Sequence, residues 1–275
     1  MRSHGIRNFV TTAAMTAVSL LPATAFAQAP APAPARPPAA RAAAPRPPSK
    51  PTPRLADGKP NLGLTPNARG SWVGGDGPLV QGANYGDLKA IPFQPWARGL
   101  YEYRNQTLAR EDPYPKCVPH GGPRQFAAAG GFQILQMPEV QRIYILSGGA
   151  ARTWRVIFMD GRPHPDINSD EFNPGYMGHS VGHWEGDTLV VDTVGFNEKG
   201  WFLGREGMPT TEALHLIERF SRPDFNTLHY EPTIDDPAAY TKPWSGGWNI
   251  RWNEQDPEEY FCQDNERDSK NLVGQ

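Results

Sequence analysis

From residue 132 onward the chain shows no helical period. Its apolar residues come in short β-branched or aromatic runs divided by turn residues, the pattern of strands and hairpins. Phe132–Gln136 and Arg142–Ser147 flank a Met137-Pro138-Glu139 turn, and Thr153–Met159 is closed by Asp160-Gly161. Gly178–Trp184 and Thr188–Phe196 are joined by Gly186-Asp187, the Gly-first two-residue loop of a type II′ hairpin. Ala213–Phe220 and Thr227–Ile234 surround Arg222-Pro223-Asp224, and Trp248–Trp252 and Glu259–Cys262 surround Asp256-Pro257. About nine such strands predict a mostly β fold, an antiparallel up-and-down meander closed into a barrel of about 8–10 strands, because closure removes the exposed edges. An open sandwich is the competing architecture. Ahead of the strands, residues 57–131 are rich in Gly and Pro, with one helix near Pro95–Ala109, where Pro95 fits the first turn.

The first 56 residues have a different pattern. Arg2 and Arg7 precede an apolar run from Phe9 to Leu21 and a small-x-small site at Ala25-Phe26-Ala27, which predicts a signal peptide over residues 1–27 and a periplasmic or secreted product. That run is too short to span about 30 Å of hydrocarbon, and no later segment is apolar enough, so no membrane span is expected after cleavage. Residues 28–56 are almost entirely Ala and Pro with scattered Arg and Lys, a disordered spacer by composition. Residues 57–275 remain for a single barrel domain.

Charge and cysteine content narrow the function. Residues 1–56 hold seven of the 27 Lys and Arg and none of the 29 Asp and Glu, so the remainder carries 20 basic against 29 acidic side chains, a formal −9. That balance argues against nucleic acid, whose phosphates need clustered cations. Cys117 and Cys262 are the only cysteines, and in an oxidising compartment such a pair usually forms a disulfide, with two unpaired buried thiols as the alternative. Eight Trp, twelve Phe and nine Tyr supply core filling, with room inside a barrel of this size for one small ligand.

Candidate chemistry centres on GHSVGHWEGDTLVVD, residues 178–192. With Gly186-Asp187 as the turn, Glu185 faces Thr188, His183 faces Val190, Val181 faces Asp192 and His179 faces Val194. Alternation then places His179, His183 and Asp192 on one face, with Asp192 diagonal to both histidines. A carboxylate bonded to one imidazole nitrogen fixes the tautomer and leaves the other nitrogen for proton transfer. Valines occupy both faces, so either can be the interior, the other containing Trp184 and Leu189. His179 and His183 stand about 13 Å apart along an extended strand, too far to share a zinc. A mononuclear metal would need His164 or His215, and no cofactor is otherwise expected.

Elsewhere, the loop Cys117–Arg124 presents His120 and Arg124, the latter suited to a carboxylate or phenolate. Glu218 and Arg219 point to opposite faces of their strand, and an inward Glu218 could act as an acid. HExxH, P-loop and GxGxxG motifs are absent, so the common zincin, nucleotide and NAD readings lose support.

Over Asp160–Pro165, over GHSVGHWEGDTLVVDTVGFN and over ALHLIERFSRPDFNTLHYEPTIDDPAAYTKPW, the chain resembles a family of uncharacterised secreted proteins of proteobacteria and acidobacteria. The resemblance runs from about Cys117 to Asn265 and implies a bacterial exported barrel without an assigned activity. In that family a basic residue, usually Arg, stands at the position of His183, and a His-Ser pair at Thr210-Thr211, which favours His179 over His183 as a catalyst. The meander is also similar to lipocalin (calycin-like) barrels in architecture alone. The expectation is a cofactor-independent lyase, isomerase or hydrolase, not a redox enzyme, acting on a small aromatic or apolar molecule inside the barrel. His179 would be the base and Asp192 its orienter, with Tyr176 or Glu218 as acid and Arg124 as anion anchor. His120, His183, His215 and Trp184 would complete the substrate site. A non-catalytic carrier of a small apolar ligand is the alternative.

Overall fold

The computed structural model describes residues 49–65, 69–73, 87–128, 130–149, 151–257, 259 and 261–262. Pro47–Gln275 forms a compact unit of its own. The signal peptide and most of the spacer lie outside the described residues. The spacer's predicted end is corrected by its contacts: Ser49 Oγ donates to Asp224 at 2.7 Å, Thr52 Oγ1 to the Arg222 carbonyl at 2.6 Å, and Arg54 pairs with Asp187 at 2.6 Å. These polar groups fasten the stretch before residue 57 to strand ends.

Ten strands form one sheet: β1 Ser71–Val73, β2 Phe132–Met137, β3 Arg142–Ser147, β4 Trp154–Phe158, β5 His179–Glu185, β6 Thr188–Val194, β7 His215–Asp224, β8 Thr227–Asp235, β9 Trp244–Ser245 and β10 Trp248–Asn253. Neighbours follow chain order from β1 to β9, and β10 closes the ring by pairing with both β1 and β8. The result is a closed nine-strand barrel, with β9 a two-residue addition beside β8. α1 spans Pro95–Gln106 with proline in its first turn, as the sequence predicts.

Two expectations change. The meander is not purely antiparallel: β4 and β5 run parallel through Ile157↔Ser180 and Phe158↔Val181, which requires the long 159–178 connection to carry the chain back along the barrel. The predicted final hairpin is not seen among the described residues: β10 takes β1 and β8 as partners, and Cys262 is bonded to Cys117 in a disulfide. β1 and β9, of three and two residues, are too short for a periodicity to register.

Burial alternates along β3, β4, β7 and most of β8 and identifies the inner face. Leu189, Val191 and Thr193 of β6, Leu216, Glu218 and Phe220 of β7, and Leu228, Tyr230 and Ile234 of β8 are all buried. Phe126, from the loop after Cys117, plugs the interior with its ring centroid 5.0 Å from Phe132, 5.2 Å from Phe220 and 4.5 Å from Tyr230. These four rings pack against one another in the barrel core.

One ion pair sits within that apolar interior. Arg155 of β4 and Glu218 of β7 are fully buried and bonded through both guanidinium NH2 groups. Arg155 also donates to Ser180 Oγ at 2.9 Å and Thr193 Oγ1 at 2.7 Å, and Tyr230 donates its hydroxyl to Glu218 at 2.7 Å. Five consecutive strands, β4 to β8, are tied by side chains whose polar groups leave few other registers open.

Candidate functional site

The Gly186-Asp187 turn forms with Gly186 at φ +59°, the backbone that glycine adopts without strain. Its register is the expected one, including Val181↔Asp192 and His179↔Val194. The burial pattern then decides the face. Ser180 is buried and Trp184 packs against the core, whereas His183 is exposed and His179 is half-buried. His179 and Asp192 stand on the outer wall of the barrel. The expectation that these histidines serve a substrate inside the barrel is thereby corrected, because their face points away from the interior.

The outer wall is not open sea at this point, because the 159–178 connection lies over it. Gly161, at φ +72°, turns the chain after Asp160, and Asp160 holds Arg162 through a side-chain pair. Pro163 and Pro165 restrict the backbone on either side of His164. Farther along, Phe172 rests where a Cβ on Gly195 would stand, 2.3 Å from that position, and Gly175 bridges Phe196. The loop thus returns over β6 and brings His164 onto the outer face.

Four side chains meet there in a single chain of hydrogen bonds. His164 Nδ1 lies 2.9 Å from His179 Nδ1, His164 Nε2 lies 3.1 Å from Asp192 Oδ1, and His215 Nε2 lies 2.8 Å from the same oxygen. Proton positions follow from the carboxylate, which can only accept. His215 and His164 both present Nε2–H to Asp192. A neutral His164 so arranged has an acceptor at Nδ1, so His179 donates Nδ1–H to it. His179 Nε2 is then left with a free lone pair.

Electrostatics push the two ends of this chain in opposite directions. Burial, the neighbouring His164 and the Arg162 cation lower the His179 pKa below its usual value, keeping the ring neutral. The hydrogen bond and charge of Asp192 raise the His215 pKa, favouring the imidazolium. Asp192 is itself held below the ordinary carboxylate range, first by its bond to His215. All remain reachable: the side chains of His164, Asp192 and His215 are 22%, 38% and 36% exposed.

Beside the chain stands an aromatic platform. Phe158 stacks on His179 with centroids 5.2 Å apart, and the guanidinium carbons of Arg162 and Arg142 lie 4.0 Å and 5.1 Å from the Phe158 centroid. Among the described residues, no group of three or more His, Cys, Asp or Glu side chains is placed to hold a metal ion.

The other expected site residues lie elsewhere. Glu218 is sealed inside the barrel against Arg155, so no solvent or substrate proton reaches it. Arg124, expected at a barrel mouth, is buried and bidentate to Asp112 at 2.9 Å and 2.6 Å, with its charge already matched. His120 is buried against the Tyr114 ring, and burial lowers its pKa to about 3. His183 pairs with Glu185 on the surface, and Tyr176 packs its side chain against the core. Trp184 lines a cleft at the end of the barrel. Asp192 reaches His179 through His164 rather than directly, a link no hairpin register could reveal because His164 arrives from a different segment.

No helix among the described residues is long and apolar enough to cross a membrane. No protein-family model, curated protein or solved structure matches this chain.

Proposed function

We propose that this protein is an exported, cofactor-independent acid–base enzyme of the lyase, isomerase or hydrolase type, acting on a small molecule at the outer wall of the barrel under the 159–178 connection. The observation that carries this is the hydrogen-bonded chain His179–His164–Asp192–His215, in which two histidines at opposite ends have pKa values pushed apart. Groups separated in this way divide the roles of base and acid between them.

His179 Nε2 removes a proton from the substrate. As it does so the imidazolium is stabilised through Nδ1–H by His164, whose own ring is polarised by Asp192. His215, held as a cation by Asp192, offers Nδ1–H to the leaving group or to the opposite side of the substrate. Asp192 and His164 are positioning residues, and Phe158 supplies a flat apolar surface next to the base.

Screening small aromatic and aliphatic acids and esters for turnover, followed by comparison of variants, tests the proposal. His179→Ala is expected to lower kcat by about 10²–10⁴-fold, the usual worth of a general base, while His183→Ala leaves it unchanged. Turnover that is indifferent to His179→Ala defeats the acid–base assignment.

A further inference from the structure

Arg142 opens β3 on the outer wall directly across from Phe158, its partner in the β3–β4 ladder. One of its donors, NH1, bonds the Val140 carbonyl at 2.8 Å, and among the described residues no carboxylate pairs with it. It therefore differs from Arg162, which is neutralised by Asp160, from Arg219, which pairs with Glu185, and from Arg124 and Arg155, whose acids are buried with them. An unneutralised guanidinium is a planar, bidentate donor well matched to a carboxylate.

Arg142 also forms part of a concavity. A cleft of about 180 Å³ opens at the end of the barrel where β4 stops short and β5 runs on, lined by Lys59, Gln136, Arg142, Met159 and Trp184. Lys59 holds its ammonium 5.7 Å above the Trp184 ring and within 3.4 Å of the Gly186 carbonyl. The titratable groups of the lining are Lys59, Arg142 and a single acid, Asp57. The cleft is thus locally positive on a domain with an excess of acids. Its volume is below the roughly 300–1,000 Å³ of sites for drug-sized ligands, so its occupant is small.

Phe158 connects Arg142, at the edge of the cleft, to the histidine chain. The Arg142 guanidinium and the His179 ring each lie within 5.2 Å of the Phe158 centroid, so they are at most about 10 Å apart. That is the reach of a small aromatic acid.

We propose that the substrate is a small organic monoanion whose carboxylate is held by Arg142, with Lys59 and Trp184 forming the wall of the cleft and the reacting end turned across Phe158 toward His179. The inference rests on the reading of His179 as the base for its second half only; the anion site stands on the cleft and the free guanidinium. It moves the role of anion anchor from Arg124, which is neutralised, to a residue that is not.

Benzoate is a suitable probe and benzyl alcohol its uncharged counterpart, each titrated into the full mature chain while the Trp and Arg side-chain NH resonances are followed by NMR. Benzoate is expected to shift the Trp184 indole NH and the Arg142 NεH, whereas benzyl alcohol shifts neither. Arg142→Met should weaken benzoate at least tenfold and Arg142→Lys by less, with the folded NMR spectrum retained in both variants. Equal binding of the alcohol, or benzoate binding indifferent to Arg142→Met, overturns the anion site. His179→Ala separates the two readings: benzoate binding retained in this variant, together with turnover that does not fall, sinks the acid–base assignment and leaves the anion site intact.

Discussion

Replacing Arg155 with Met removes the cation from a fully buried pair and leaves the Glu218 carboxylate without its counter-ion. Breaking one partner of such a pair costs about 3–5 kcal/mol, most of it the penalty for an uncompensated buried charge. Against a typical stability of about 5–15 kcal/mol, that brings the domain near its margin. For a chain of this size the melting temperature should fall by about 6–20 °C. Arg155→Met/Glu218→Leu removes both charges. Ser180 and Thr193 keep their mutual hydrogen bond at 3.0 Å, so the main residual loss is the Tyr230 hydroxyl's acceptor, about 1–3 kcal/mol. The double variant should therefore be more stable than Arg155→Met alone. Urea unfolding followed by tryptophan fluorescence, with the disulfide intact, measures all three. A loss below about 1 kcal/mol in Arg155→Met, or a double variant no more stable than Arg155→Met, refutes the account of the pair as coupled buried charges. The network also bears on the site, because Ser180 and Thr193 directly adjoin His179 and Asp192 on the opposite faces of β5 and β6. A slip of either strand by one residue would turn the histidines into the core.

Asp192→Asn should lower the His215 pKa, since the carboxylate is the main cause of its elevation; NMR titration of the imidazoles reads this directly, and an unchanged His215 refutes it. Because the folded-state pKa of His215 is raised, its stabilising contribution is fully present below the unfolded value near 6.5 and disappears as pH rises through the folded value. The stability gap between the native protein and His215→Gln should accordingly be wider at pH 5.5 than at pH 8.5 in paired urea titrations. His120 works in the other direction: with a folded pKa of about 3, it resists protonation in the core, so stability is lost as pH falls below 6.5. That loss is about 3 kcal/mol by pH 4, and His120→Leu should abolish this part of the acid sensitivity in denaturant midpoints. Removing the disulfide by Cys117→Ser/Cys262→Ser opens a link across 145 residues and should cost about 2–4 kcal/mol, visible as a lower melting temperature that added reductant no longer changes.

How much of this was legible in the chain differs from element to element. β3 was placed at its observed limits, and the β5–β6 hairpin was given its full register, because a Gly-first two-residue turn and a period of two are local properties that the chain carries wherever it folds. The Cys117–Cys262 pairing needed only a count of cysteines and an oxidising compartment. β1 and β9 escaped notice, since two or three residues cannot display a period, and the β4–β5 pair was read as antiparallel because nothing local distinguishes a crossover from a loop.

The histidine face of β5 was written in the sequence, but not which way it pointed. Both faces of the hairpin carry valines, and the inner one is the face on which Ser180 and Thr193 meet Arg155 and Glu218, side chains 63 residues apart that only the closed barrel brings together. Likewise the sequence supplied His164, His179, Asp192 and His215 as separate candidates; their union into one hydrogen-bonded chain depended on a long connection folding back over β6. Local periodicity determines which residues share a face, whereas the direction that face takes and the distant groups that join it are decided by how all the strands close around a common core.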